Sequence, residues 1–140
     1  MILLCLAAMK SVQVFAGICS EEATDKIKRV QGYFVQNHKP VKPMGLKVEL
    51  YRVAYATRRL EATADIGESG IFEFGSIEPG EYKVQIPGYM DSETFVVTSA
   101  SDKKSNKYLM VELLPYQPGQ CSGLVEIRKH SDEDLTELFP

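Results

Sequence analysis

Residues 69–86 read SGIFEFGSIEPGEYKVQI, and this stretch determines the fold that the sequence predicts. Apolar and polar residues alternate on both sides of a Pro-Gly pair, and a period of two is typical of strands with one buried face. Pro79 suits the first central position of a β-turn, and Gly80 suits a left-handed second position. We therefore expect two strands joined by a turn. The residues expected to face the core are Phe72, Phe74, Tyr82, Val84 and Ile86.

The same alternation continues through most of the chain and predicts further strands. The runs concerned are residues 28–35, 45–53, 94–97, 107–115 and 122–129. The inward positions are Val30, Gly32 and Phe34, then Leu46, Val48 and Leu50, then Leu109, Val111 and Leu113, and finally Val125 and Ile127. Turn-forming residues separate the runs, at NHKPVKPMG (37–45), at 66–70 and at SASDKKSNK (99–107), which we interpret as a polar hairpin tip. The pattern predicts one all-β domain, an antiparallel sandwich of about seven or eight strands.

Residues 69–86 resemble the carboxypeptidase regulatory-like domain, which belongs to the transthyretin-like (prealbumin-like) and Cna-B-like group of β-sandwiches. The positions that fall in step with the family pattern are Gly70, Phe72, Phe74, Ile77, Pro79, Gly80, Tyr82 and Val84. The resemblance extends more weakly over residues 27–115 and implies a prealbumin-like Greek-key sandwich, which we expect to span residues 17–129. The longer loop at 37–45 departs from the family pattern. The residues of the related hydroxyisourate hydrolases are not matched, so their activity is not implied.

The first residues, MILLCLAAMKSVQVFAG (1–17), form the most apolar run of the chain. Lys10 and Gln13 interrupt it, and a membrane span needs about 20 apolar residues. We favour a signal peptide over residues 1–16, cleaved before Gly17, although no positive charge precedes the apolar run. A mis-called or uncleaved start and a buried first strand remain alternatives. Cleavage would make the protein secreted, periplasmic or displayed at the cell surface.

Cysteine usage agrees with export. Removal of residues 1–16 would discard Cys5 and leave Cys19 and Cys121, a pair that we expect to form a disulfide in an oxidising compartment. Two free thiols in a cytosolic protein are the alternative. The Gly-x-Cys-x-Gly pattern in PGQCSGL (118–124) also raises the possibility of a nucleophile, which would need a helix after the turn. A strand pattern follows instead, so we expect no catalytic role for Cys121.

Composition excludes several classes of function. The 140 residues carry a net charge of −3 without a clustered basic face, which argues against nucleic acid as a partner. The chain has two histidines, His38 and His130, without the spacing of a metal site. His130 and the carboxylates that follow it could hold a metal adventitiously, but a solvated charged segment is the preferred interpretation. We expect a non-enzymatic protein that needs no cofactor and no metal.

A structural or protein-interaction module is the function that the sequence favours, with a protein or a component of the cell envelope as its partner. Loops on a rigid scaffold commonly carry recognition, so the expected contact regions are 37–45, which contains His38, and GYMDSE (88–93). Within the second loop, Tyr89 and Met90 are expected to be exposed and to bind the partner. Carbohydrate is the alternative ligand, since tyrosine rings stack on sugars. The candidate tyrosines are Tyr51, Tyr55, Tyr89 and Tyr116.

The last segment, residues 130–140, is acidic. Ser131 with Asp134 three residues later could begin a helix, and Leu135, Leu138 and Phe139 could dock it on the domain. Because so short a helix is marginal in isolation, we favour a loose or weakly docked tail over a functional peptide.

Overall fold

The computed structural model describes residues 23, 25–99 and 104–140, in which strands dominate. The strands are β1 (Lys26–Ile27), β2 (Gln31–Gln36), β3 (Lys39–Val41), β4 (Lys47–Ala54), β5 (Thr57–Asp65), β6 (Ile71–Glu73), β7 (Gly80–Gln85), β8 (Phe95–Val97), β9 (Lys107–Glu112) and β10 (Val125–Lys129). A helix, α1 (Asp132–Leu138), follows β10. The expectation of an all-β class is confirmed. The proposed signal peptide and Cys19 lie outside the described residues.

The strands form two sheets. Sheet 1 has the order β1-β8-β7-β4-β5, and sheet 2 has the order β10-β9-β2-β3, with β6 also pairing with β2. Two pairs are parallel, β1 with β8 and β2 with β9, and the other pairs are antiparallel. The prediction of purely antiparallel sheets is therefore wrong. Strands distant in sequence meet in these parallel pairs, and local alternation carries no information about such partners.

One hydrophobic core contains side chains from both sheets. Sheet 1 supplies Val48, Leu50, Tyr82 and Val84, while sheet 2 supplies Phe34, Phe72, Leu109, Val111 and Val125. Most positions predicted to face inward are buried here. Leu46, which precedes β4, is 37% exposed, and Ile127 is half-buried at the margin of the core.

The segment between β6 and β7 passes from sheet 2 to sheet 1. Gly80 is the first residue of β7 and is not among the described residues with positive φ, so the expected left-handed Pro-Gly turn is wrong. The Tyr82 hydroxyl donates a hydrogen bond to the Glu78 carbonyl oxygen, at 2.8 Å, and so fixes the crossing segment to the start of β7. A tyrosine with this bond is a recurrent corner element of β-sandwiches.

Two predicted loops also differ from expectation. In the 37–45 segment, Asn37 and His38 have φ of 52° and 65° and make a two-residue turn between β2 and β3, since Gln36 pairs with Lys39. Positive φ at both central positions is the requirement of a type I′ hairpin turn. The 99–107 segment joins β8 of sheet 1 to β9 of sheet 2, so its interpretation as a hairpin tip is wrong.

The acidic C-terminal segment forms a short helix against the domain, so the possible helix start at Ser131 is confirmed, whereas a loose tail is not observed. Ser131 and Asp134 form a reciprocal capping box, and Leu135 is buried. The Phe139 ring contacts Tyr33 in an edge-to-face arrangement with centroids 5.7 Å apart. No helix among the described residues is long and apolar enough to cross a membrane.

Candidate interaction surface

The β4–β5 hairpin carries the most exposed aromatic side chain in the described part of the chain. Ala54 pairs with Thr57, so Tyr55 and Ala56 form a two-residue turn. The Thr57 hydroxyl donates to the Ala54 carbonyl oxygen at 2.8 Å and closes the turn. Tyr55 has a φ of 56° and a relative exposure of 105%. Its ring projects fully into solvent at the tip.

Three further apolar side chains share the outer face of this hairpin. Tyr51 and Val53 lie two residues apart on β4, and Leu60 is the register partner of Tyr51 on β5. Leu60 is 49% exposed, while Tyr51 and Val53 are half-buried. Side chains at such positions point to the same side of a sheet. We call Tyr51, Val53, Tyr55 and Leu60 the hairpin patch.

Arg58 contacts three side chains on the outer face of sheet 1, those of Tyr51, Gln85 and Asp91. Its guanidinium lies over the Tyr51 ring, 4.5 Å from the centroid, and its Nη1 is 3.3 Å from both Gln85 Oε1 and Asp91 Oδ2. Lys83 Nζ lies 3.6 Å from the same Asp91 oxygen. Burial, together with the charge and hydrogen bond of Glu49, raises the pKa of Tyr51 above its usual value of 10.0. The ring is thus neutral and fixed beside the hairpin tip.

The predicted contact residues of the 88–93 loop, Tyr89 and Met90, are less exposed than expected. Met90 is 6% exposed, and its backbone N–H donates to the Leu114 carbonyl oxygen at 2.9 Å, so the prediction of an exposed Met90 is wrong. Tyr89 is half-buried against the core and bridges to Pro115. Ser92 is buried, and its hydroxyl accepts from the Val84 N–H and donates to the Glu93 carbonyl oxygen. This loop is part of the packing of the domain.

The two histidines lie in different environments. His38 is exposed at the tip of the β2–β3 turn. His130 is half-buried, with Nε2 2.9 Å from the Tyr33 hydroxyl oxygen. No group of three or more His, Cys, Asp or Glu side chains in the described residues could hold a metal ion.

Cys121 lies in the segment that leads into β10, and it is disulfide-bonded. Its partner falls outside the described residues, so the pairing with Cys19 stays a prediction. Between Cys121 and β10 the described chain forms no helix. This is the strand context that the sequence indicated, and it differs from the turn-to-helix geometry of a nucleophile elbow.

The tyrosines of the carbohydrate alternative are not equivalent. Tyr55 and Tyr116 are exposed, Tyr89 is half-buried, and Arg58 covers one face of Tyr51. Sequence reasoning named Tyr55 only among these sugar candidates and did not identify Val53 or Leu60. The signal available was the stretch YRVAYATRRL (51–60), which places Tyr55 between Val53 and Leu60.

Comparisons with known proteins add no family to this picture. No family model matches the chain, and no curated protein and no solved structure matches it.

Proposed function

We propose that the protein is a non-enzymatic protein-binding module whose contact surface is the hairpin patch, with Tyr55 as its anchor. The observation that carries this proposal is the conformation of Tyr55. A left-handed φ costs an L-residue about 1 to 2 kcal/mol, and exposure of the ring provides no packing that offsets the cost. A glycine or asparagine would fit the turn better. An aromatic residue at this position is accounted for by a contact made outside the folded chain.

The surroundings of Tyr55 support the same surface. Tyrosine and arginine are enriched among residues that dominate binding energies, and such residues form clusters. Arg58 orders Tyr51 before any partner arrives, and a preformed surface loses less conformational entropy on binding. The hairpin patch thus combines the exposed ring of Tyr55 with a Tyr51 ring that Arg58 already holds in place.

The partner that fits is a folded protein with an apolar pocket for the Tyr55 ring and an acidic rim. Residues 51–60 contain three arginines and no carboxylate. Arg58 lies on the same face as the hairpin patch, whereas Arg52 and Arg59 pair with each other in the register and lie on the opposite face, beside Glu78 and Glu61. Surface ion pairs contribute at most about 1 kcal/mol, so the Arg58 contact with Asp91 can be exchanged for a partner's carboxylate. Positive charge around the anchor would also steer association with an acidic surface.

Side chains rather than the open edge of β5 are proposed to make the contact. The β4–β5 register shifts between Leu50 and Tyr51, which indicates a bulge, and β5 also carries Arg58, Arg59 and Glu61. Bulges and charged side chains are the devices that prevent an edge strand from pairing with another chain. Strand addition at β5 is accordingly disfavoured.

The finer fold assignment is part of the proposal: a Greek-key sandwich of the carboxypeptidase regulatory-like, prealbumin-like kind. Its support is that Phe72, Phe74 and Tyr82, the aromatics of the resemblance, lie in one core. A second support is the chain path, since β4 and β5 belong to sheet 1, β6 to sheet 2, and β7 returns beside β4. Such crossings between two sheets are typical of Greek-key connections.

Tyr55→Asn is expected to separate binding from stability. Asparagine tolerates the left-handed turn, so the free energy of unfolding should be unchanged or rise by about 1 kcal/mol. Loss of the anchor should weaken partner binding by about tenfold or more. Urea unfolding measures the first effect. The second is measured by quantitative capture of a defined partner, identified with the wild-type protein, followed by titration of that purified partner.

Tyr116→Asn is the matched control, because it removes an equally large exposed ring outside the hairpin. It should leave the partner's affinity within about twofold. Equal affinity of the Tyr55→Asn variant and the wild type would contradict the assignment of the patch. Equal loss in both variants would indicate that exposed tyrosine in general, rather than this hairpin, makes the contact.

Export with a Cys19–Cys121 disulfide completes the proposal, and the disulfide-bonded state of Cys121 supports it. Intact mass after expression of the full chain with export allowed should correspond to a start at Gly17. No alkylation is expected until the sample is reduced, after which two thiols should react. A full-length chain with rapidly alkylated Cys121 would contradict export and the disulfide together. A full-length chain in which Cys121 pairs with Cys5 would contradict the assignment to Cys19.

A further inference from the structure

The two residues that flank helix α1, His130 before it and Phe139 after it, contact Tyr33 on the outer face of sheet 2. Tyr33 belongs to β2 and is 1% exposed, although strand alternation would direct it away from the core. The Phe139 ring at the C-terminal end of α1 packs against Tyr33 and over Gly70, and Lys42 Nζ lies 5.7 Å from its centroid. Phe139 and His130 thus contribute to the burial of Tyr33.

The helix has little stability of its own. It contains seven residues, and Leu135 is its buried residue. Helices shorter than about 12 residues are marginal in water, even with a capping box such as that of Ser131 and Asp134. Contacts with sheet 2 decide whether α1 is docked.

His130 joins the helix to the sheet at this contact. Its Nε2 lies 2.9 Å from the Tyr33 hydroxyl oxygen, and its ring centroid lies 5.5 Å from that of Tyr33 and 6.0 Å from that of Tyr108. Its backbone N–H donates to the Asn106 carbonyl oxygen at 2.9 Å. An open cavity lined by His130, Asp134, Glu137 and Leu138 lies beside the His130 ring, so solvent can reach the imidazole.

We propose that α1 is a proton-sensitive cap: protonation of His130 weakens its docking on sheet 2 and exposes Tyr33. The hydrogen bond can run in either direction while the imidazole is neutral, with the hydroxyl or Nε2–H as donor. Protonation removes the arrangement in which Nε2 accepts, and it places a charge in a half-buried site among aromatic rings. Release of the helix hydrates that charge.

The environment of His130 disfavours its protonated form in the docked state, as the proposal requires. Burial lowers the pKa of His130 below its usual 6.5, Arg128 of β10 lowers it further, and Asp134 of α1 opposes them. Burial raises the pKa of Tyr33 on β2 and of Tyr108 on β9, so both phenols facing the imidazole stay neutral. Glu137 of α1 also lines the cavity.

The difference in the His130 pKa between the docked and undocked states sets the pH range over which docking changes. Because the pKa of His130 is lower in the docked state, the undocked state binds the proton more tightly, and docking is strongest above pH 6.5. Docking weakens as the pH falls from 6.5 to the His130 pKa of the docked state, below which no further loss occurs. The Asp134 cap does not titrate in this window, since hydrogen bonds from Ser131 lower its pKa below 3.8.

Hydrogen exchange and histidine titration on the full-length, isotope-labelled protein test the proposal. The amides of Leu135 and Phe139 report on the helix, since they donate to the carbonyl oxygens of Ser131 and Leu135. Between pH 7.5 and 5, their protection factors should fall by the ratio of the His130 acid constants in the undocked and docked states. A depression of one pKa unit corresponds to a tenfold fall. Core amides of Val48 and Val84 should keep their protection, which shows that the opening is local.

His130→Gln should abolish this pH dependence. His38→Gln is the matched control and should retain it, because His38 is exposed in the β2–β3 turn and is not part of the His130 contact. The proposal is overturned if helix protection stays constant while His130 titrates. It is also overturned if the fall persists in His130→Gln, or if the measured His130 pKa lies at or above 6.5. The titration of the wild-type protein decides the question even if the variant does not fold.

Discussion

Replacing Gly32 by Ala is expected to lower the free energy of unfolding by about 3 kcal/mol or more. A Cβ at this position would overlap the carbonyl oxygen of Leu109 and lie 2.6 Å from Phe72 Cζ. Leu109 is the register partner of Gly32 in the parallel β2–β9 pair, so its carbonyl cannot move without disturbing that pairing. Urea unfolding followed by far-ultraviolet circular dichroism measures the loss.

Gly75→Ala provides the matched control for this substitution. A Cβ at Gly75 would meet no atom within 4 Å, and Gly75 is not among the described residues with positive φ. The change should be neutral or stabilise by about 0.4 to 1 kcal/mol through the entropy of the unfolded chain. A similar loss in both variants would show that the close approach of β2 and β9 is not the cause.

The buried faces of β4, β6, β7 and β9 could be predicted from sequence because burial in these strands alternates with a period of two. Phe72, Val84 and Leu109 were identified in this way and are all buried. The partners of the strands could not be predicted, since the pairing of β2 with β9 joins segments that are far apart in sequence. Pairing depends on how both sheets close around the core, and the local pattern does not contain that information.

Strand β5 was missed for a different physical reason. It lies at the edge of sheet 1, most of its residues are exposed, and it begins with Thr57, Arg58 and Arg59. Its bulge changes the phase of alternation, so no single period runs through it. The Tyr55-Ala56 turn also lacks the Asn, Asp or Gly that usually marks a hairpin.

At the candidate sites too, features formed by neighbouring residues could be predicted from sequence, whereas features formed by the folded chain could not. The capping box of Ser131 and Asp134 is visible in sequence, but the docking surface at Tyr33 is not, because alternation on β2 directs Tyr33 to solvent. Met90 was expected to be exposed because it lies in a polar loop, whereas its neighbours Leu114 and Gly123 place it inside. The left-handed φ of Tyr55 is a property of the folded hairpin alone.

Phe72→Ala is the second substitution with a large expected effect, a loss of about 3 to 5 kcal/mol in the free energy of unfolding. The side chain is fully buried, with its ring centroid 5.1 Å from that of Phe34 and 6.0 Å from that of Phe74. Truncation removes these aromatic contacts and leaves a cavity between the sheets. Since a domain of this size is stable by about 5 to 15 kcal/mol, much of that stability depends on one ring. Urea unfolding should show a lower midpoint with an unchanged slope.

Ile71→Ala distinguishes this loss from a general weakening of β6. Ile71 is the adjacent residue, half-buried, and pairs with Tyr33, so it faces away from the core that Phe72 fills. Its truncation should cost less than half as much as that of Phe72, because less apolar surface is removed from contact. Comparable losses would mean that pairing of β6 with β2 limits stability. A loss confined to Phe72→Ala would instead place the energetic centre of the domain at the aromatic cluster, where the Gly32 backbone leaves room for the Phe72 ring.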